Sequence, residues 1–168
     1  MIGTYDLVRT RGRSDAAHDI LRELPEWFGL GEFTDEYVEA AGKFPNYLAV
    51  DGPSVLDGTP DGADVPVEDI TGILLLDPRY DSTAEVHLLA VRREHHRTGI
   101  GRALLRRVED DMRAQGVRLL TVKTFGPSSP DPGYDRTRAF YEAVGFLPVE
   151  EFPDLWAENP CLLMVKVL

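Results

Sequence analysis

The run Ala84-Glu85-Val86-His87-Leu88-Leu89-Ala90-Val91 is apolar apart from Glu85 and His87. It leads through Arg92-Arg93-Glu94-His95-His96-Arg97-Thr98 into Gly99-Ile100-Gly101, and on into Arg102-Ala103-Leu104-Leu105. A strand that passes through a glycine pair straight into an amphipathic helix leaves little latitude in what is built there. Glycine lets the backbone come close to a ligand, and the first turn of a helix leaves N–H groups without partners. Together they form an anion-binding concavity. The junction predicts a strand–loop–helix unit able to hold a pyrophosphate on main-chain amides.

Charge distribution points the same way. Eighteen basic side chains face 29 acidic ones, a net −11, which argues against a general nucleic-acid binder. From Phe44 to Asp77 there are seven acids and no Lys or Arg, whereas Arg92 to Arg107 holds six arginines opposed only by Glu94. A small cationic island suits an anionic cofactor, and the acidic remainder suits a cationic substrate. Arg92, Arg93 and Arg97, beside the glycines, are expected to touch phosphate, while Arg106 and Arg107 are expected to be solvated helix residues.

Outside the junction, elements follow from periodicity and punctuation. Tyr5–Arg9 reads as a strand, and Ser14 or Asp15 caps a helix to about Leu24, with Pro25 beyond. Thr34 opens a second helix with Tyr37, Val38 and Ala41 on one side. Asn46–Val50 and Ile70–Leu76 read as strands, the latter ended by Asp77-Pro78, with an acidic Pro/Gly loop over 52–69 between them. A helix from about Ile100 to Gln115 buries Leu104, Leu105, Val108 and Met112 and stops at Gly116. Val117–Lys123 is a strand. A helix from Tyr134 or Asp135 turns Phe140, Ala143 and Val144 inward and closes at Gly145-Phe146. Val149–Phe152 and Cys161–Val167 are the last strands, with a loop over Pro153–Pro160. The order is that of a mixed α/β chain, read as one domain over 1–168.

Several classes are set aside. Gly99-Ile100-Gly101 lacks the following Gly-Lys-Ser/Thr of a nucleotide-triphosphate loop, and Leu104 stands where a dinucleotide fold needs its third glycine. His87, His95, His96 and Cys161 do not fall at usual ligand spacing, so no metal is expected. One cysteine excludes an intrachain disulfide, no apolar run approaches a membrane span, and no signal-peptide core opens the chain. The expectation is a soluble cytoplasmic protein with no membrane or nucleic-acid partner.

Glu85 to Leu105, followed one helix and one strand later by Thr137-Arg138-Ala139-Phe140-Tyr141-Glu142-Ala143-Val144-Gly145-Phe146, resembles the two signature blocks of the GCN5-related N-acetyltransferase family. The resemblance covers about Leu48 to Phe146 well and thins before Tyr47. One departure is His96, where the family commonly has Gln or Arg three residues before the first glycine. The resemblance implies a mixed, mostly antiparallel twisted sheet with flanking helices, in which central parallel strands Ala84–Val91 and Val117–Lys123 splay apart to admit acetyl-CoA. It implies that residues 84–146 form the cofactor-binding and catalytic core and that 1–45 is a helix-rich acceptor side. It places the pantetheine arm along Leu89, Ala90 and Val91. The pyrophosphate falls on His96, Arg97, Thr98, Gly99, Ile100, Gly101 and Arg102.

Acetyl transfer to an amine requires that an ammonium lose a proton, that an oxyanion be met and that a thiolate be protonated. By the resemblance, Glu85 is the candidate base, directly or through water; the plainer reading is a carboxylate paired with a neighbouring arginine. His87, two residues on and so on the same sheet face, is the base, a relay or a packed histidine. The oxyanion falls to an N–H near Leu89, and Tyr141 protonates the coenzyme A sulfur. Arg138 either approaches the cofactor or pairs with Glu142. Trp27, Phe28 and Tyr37, with Trp156, are read as an aromatic wall for a small organic cation, or as cover for the sheet.

The expected activity is transfer of acetyl from acetyl-CoA to a primary amine, on a small molecule or a protein. The alternative is an acyl-CoA-binding sensor or regulatory subunit without turnover. The resemblance also implies pairing of two chains as a homodimer through the last strands.

Overall fold

The computed structural model describes residues 5–29, 31–51, 62–156 and 159–168. In chain order these form β1 (Tyr5–Arg11), α1 (Ser14–Leu21), α2 (Pro25–Phe28), α3 (Glu32–Lys43), β2 (Pro45–Asp51), β3 (Ile70–Tyr80) and β4 (Thr83–Val91). Then come α4 (Ile100–Ala114), β5 (Leu119–Phe125), α5 (Pro132–Ala143), β6 (Leu147–Trp156) and β7 (Asn159–Val167). The sheet is mixed, with strand order β1-β2-β3-β4-β5-β7-β6. β4 and β5 are parallel, paired from Thr83↔Leu119 to Val86↔Val122. β1/β2, β2/β3, β5/β7 and β6/β7 are antiparallel. Of the acidic 52–69 segment, 52–61 lies outside the described residues.

The chain divides into two compact units, Met1–Asp77 with Leu88–Asp110, and Pro78–His87 with Asp111–Leu168. In the first, Ala16, Ala17, Ile20 and Leu21 of α1 and Ala40 and Ala41 of α3 pack on Leu48, Val50, Ile70, Ile73, Leu75, Leu88 and Ala90 of β2–β4. Each fully buried Leu or Ile contributes about 1.5–3 kcal/mol, so this cluster is what holds β4 and the loop after it in place. Gly72 of β3 serves the same end. A Cβ there would lie 2.9 Å from Cγ2 of Ile100 and 3.3 Å from Cδ1 of Leu104, so its absence lets the first turn of α4 lie close on β3.

In the second unit β5 alternates cleanly. Leu120, Val122 and Thr124 are buried on one face, while Thr121, Lys123 and Phe125 share the other, half-exposed face. Asp131 caps α5 by accepting from the N–H groups of Gly133 (2.8 Å) and Tyr134 (3.1 Å), with Pro132 at the first helical position.

Three boundaries and the inward face of α5 differ from the sequence expectation. β3 continues through Pro78 to Tyr80, because its last residues are exposed and a missing N–H is cheapest there. β6 runs from Leu147 to Trp156, through Pro148 and Pro153. It is the edge strand, and register shifts at 148–150 and 152–156 absorb both prolines. The expected loop over 153–160 is therefore mostly strand. The helix expected to run from Ser14 to Leu24 ends at Leu21, and Pro25 opens the separate short helix α2. On α5 the inward residues are Arg138 and Tyr141, whereas Ala143 is exposed and Phe140 and Val144 are half-buried.

Candidate active site

After β4 the chain makes a 3-10 turn over Arg93–His95 and then adopts two left-handed residues, Arg97 (φ 64°) and Gly99 (φ 92°), before α4 begins at Ile100. A non-glycine residue in that region is uncommon and is held only where its surroundings demand it. Thr98 supplies part of the demand by donating its hydroxyl to the His95 carbonyl at 2.6 Å. The Ala103 N–H bonds to the Gly99 carbonyl at 3.0 Å and begins the helical ladder. The N–H groups of Ile100, Gly101 and Arg102 precede it in the first turn, where helix geometry provides no internal partner. Ile100 is buried, whereas Arg97, Thr98, Gly99 and Arg102 are exposed. The loop thus offers an accessible row of amides flanked by two arginines.

The other loop cations do a different job. Arg92 is buried and spends its guanidinium inside the unit, donating Nε to the Ile70 carbonyl (2.7 Å) and Nη2 to Asp19 (2.7 Å) and the Val67 carbonyl (2.9 Å). Its Nη1 bonds to Glu23. Burial opposes its charge, but the two carboxylates outweigh that and raise its pKa. Arg93 pairs with Glu26 at 2.5 Å and donates to the Glu23 carbonyl at 2.8 Å. Arg92 and Arg93, expected at the phosphate, instead tie the loop to α1 and α2. His96 also turns inward. Its Nε2 lies 2.8 Å from the Val91 carbonyl, which can only accept, and its ring meets Trp27 edge-on at 5.7 Å. The imidazole thus braces the loop against the Val91 carbonyl, while Arg97 and Arg102 are exposed beside the helix start.

Trp27, Phe28 and Tyr37 are partly buried against the core of the first unit, with Phe28 and Tyr37 edge-to-face at 5.7 Å. Trp156 belongs to the second unit and lies against Phe125 (5.6 Å), on which Tyr134 stacks at 4.1 Å. A cavity of about 60 Å³ in the first unit is lined by Tyr5, Asp51, Thr71, His95, Thr98 and Ile100.

Within the second unit, β4 and β5 bring Glu85 and His87 together with two cations that the sequence reading did not single out. Glu85 is only 8% exposed. Its Oε2 accepts from Lys123 Nζ at 2.5 Å and Arg79 Nη2 at 3.2 Å, and its Oε1 lies 3.9 Å from His87 Nδ1. The arginine pairing of the plainer reading is therefore present. Parallel register sets this up, because Glu85 faces Thr121 and Lys123 is the next β5 residue on that face. Burial works to raise the Glu85 pKa. The nearby His87 ring, the hydrogen bond from Lys123 and the charges of Lys123 and Arg79 outweigh it and bring the group to about 2. Cys161, buried on β7, has its thiol pushed up by burial and by Glu85, with Lys123 opposing.

Tyr141 is buried on α5, edge-to-face with Phe140 (5.3 Å) and Phe146 (5.4 Å). One turn earlier, Arg138 donates to the Phe125 carbonyl at 2.6 Å and pairs with Asp135. It fastens α5 to the end of β5 and does not pair with Glu142. Among the described residues no group of three or more His, Cys, Asp or Glu side chains is placed to hold a metal ion, and no helix is long and apolar enough to cross a membrane.

Fold and loop together define a class, and the comparisons with known proteins name it. Residues 17–146 match the family model described as Acetyltransferase (GNAT) family, and the chain belongs to that family of acetyl-CoA-dependent N-acetyltransferases. A GNAT-family structure from Desulfovibrio desulfuricans is similar with TM-score 0.77 and 20% identity, covering 98% of this chain and 99% of that one. The ribosomal-protein-S18-alanine N-acetyltransferase of Escherichia coli is similar with TM-score 0.69 and 16% identity over 98% and 94% of the two chains. A GNAT family acetyltransferase from Elizabethkingia anophelis with acetyl-CoA bound gives 0.65 and 19%, covering 98% of each. No curated protein matches the sequence significantly.

Proposed function

We propose that the protein moves the acetyl group of acetyl-CoA directly to a primary amine, with the pyrophosphate on the Arg97–Arg102 loop, His87 as proton acceptor and Tyr141 as proton donor. The observation that carries the assignment of the base is the division of labour on Glu85. Its Oε2 is taken by Lys123 and Arg79, and its Oε1 is turned to His87. A carboxylate brought to about 2 is a weak base at neutral pH but a permanent anion. Its role is then to orient the imidazole and stabilise the imidazolium, while His87, whose side-chain type titrates nearest neutrality, takes the proton.

In the reaction the acceptor ammonium gives a proton to His87 and its nitrogen attacks the thioester carbonyl. The oxyanion is met by an N–H near Leu89, with Leu89, Ala90 and Val91 supplying the backbone along the pantetheine arm. On collapse the attached nitrogen gives its second proton to solvent and the thiolate leaves, taking the phenolic proton of Tyr141; solvent then returns a proton to Tyr141 and removes the one on His87, so one proton is released overall. No acyl-enzyme is needed, since the attacking group is the amine itself. Burial of Tyr141 against two aromatic rings supports a fixed hydroxyl.

A panel of amines incubated with acetyl-CoA and purified protein, with product masses read, tests the proposal. An acetylated amine formed at a rate that falls in both His87→Ala and Tyr141→Phe supports it. Turnover indifferent to both substitutions would overturn the roles. The same panel, extended to peptides with free N-terminal or lysine amines, separates small-molecule from protein acceptors.

A further inference from the structure

We propose that Lys123 is a positioning residue of this site: with Arg79 it occupies one oxygen of the Glu85 carboxylate and leaves the other presented to His87. This rests on the catalytic reading above only for its consequence in turnover; the arrangement itself stands on geometry. A carboxylate has two equivalent oxygens and turns freely about its last bond unless its partners differ. Here they differ sharply. Both cations approach Oε2, at 2.5 and 3.2 Å, from β5 and from the end of β3, and the imidazole lies 3.9 Å from Oε1. Removing Lys123 frees the carboxylate to rotate and strips a positive charge from beside His87.

The charged and titratable groups that meet this carboxylate come from each neighbouring strand: Arg79 of β3, His87 of β4, Lys123 of β5 and the Cys161 thiol of β7. Glu85 is held as an anion and Cys161 as a thiol, which leaves the imidazole as the neighbour whose charge the proposal concerns. Loss of the lysine charge raises the proton affinity of His87, and the freed carboxylate, now able to bond directly to Nδ1, acts in the same direction.

The test is titration of the His87 ring resonances by NMR in the wild type, Lys123→Met and Lys123→Arg, beside pH profiles of kcat/KM. The His87 midpoint moves up by about half a pH unit or more in Lys123→Met and returns in Lys123→Arg. An unmoved midpoint in the folded variant overturns the proposal. Should Lys123→Met fail to fold, Arg79→Met, at a residue whose side chain is 45% exposed, gives a smaller shift of the same sign, and its absence is equally fatal. If the midpoint moves and the acid limb of kcat/KM moves with it, positioning and catalysis are both supported. A moved midpoint with an unmoved limb keeps Lys123 as the positioning residue and removes His87 as the base.

Discussion

Arg92 Nη2 lies 2.7 Å from Asp19 Oδ2, joining the entrance of the glycine loop to α1 across 73 positions of sequence. Glu23 and the carbonyls of Ile70 and Val67 take the remaining donors. Removing the cation strands two partly buried carboxylates, so Arg92→Met should lose about 3–5 kcal/mol of stability in urea unfolding. At a temperature where the variant is folded, its affinity for coenzyme A should stay within about threefold of wild type, in line with a share well under 1 kcal/mol. A large loss of affinity in the folded variant would return Arg92 to the phosphate.

Gly72 makes a quieter contribution. A side chain there meets the Ile100 methyl at under 3 Å, at the turn whose amides are proposed to hold the diphosphate. Gly72→Val should destabilise by about 1–3 kcal/mol and weaken coenzyme binding together with stability, whereas a surface substitution on α4 such as Arg106→Gln should change neither. Denaturation and calorimetry on the same preparations read both.

Glu85 gives the stability of the fold a pH dependence of definite sign. Its folded pKa is lowered from 4.5 to about 2, so its contribution is fully present above about 4.5 and is lost as pH falls toward 2. At neutral pH that contribution is on the order of 3 kcal/mol. Glu85→Gln should remove it and flatten the loss between pH 5 and 2. Parallel acid-unfolding curves for wild type and variant would show the assignment to be wrong.

Tyr141 should be separable from cofactor affinity. Tyr141→Phe keeps the ring contacts with Phe140 and Phe146 and removes the hydroxyl alone, so kcat should fall about 10²-fold with little change in coenzyme A dissociation constant. A rate unchanged at saturating substrate would leave the tyrosine a packing residue.

Much of this arrangement was legible before any coordinates. The Leu104, Leu105, Val108, Met112 stripe fixed α4, and all four residues are buried. The Gly99–Gly101 junction opens α4 at Ile100, the residue read from the sequence. Asp131-Pro132, an N-cap followed by proline, is a local start signal that places the beginning of α5 ahead of Tyr134. Other features had no local signature. Nothing near Arg92 in sequence says that its partners are Asp19 and Glu23, because those contacts depend on how α1 packs over β3 and β4. Lys123 likewise looked like one polar residue in an alternating strand. Its importance comes from the parallel register that sets it beside Glu85. His96, a visible departure from the family pattern, holds the Val91 carbonyl and meets Trp27 edge-on, contacts that no local sequence pattern announces.

The central claim is that a loop of main-chain amides at the start of α4 receives the diphosphate of coenzyme A. Isothermal calorimetry of coenzyme A against the wild-type protein and against Gly101→Pro, which removes one of those amides in the first turn of α4 where no intrahelical hydrogen bond is lost, tests it most directly. The account predicts a one-to-one complex for the wild type and markedly weaker binding for the variant at equal stability. Absence of any binding heat across several temperatures in the wild type, or equal affinity in the variant, would contradict it.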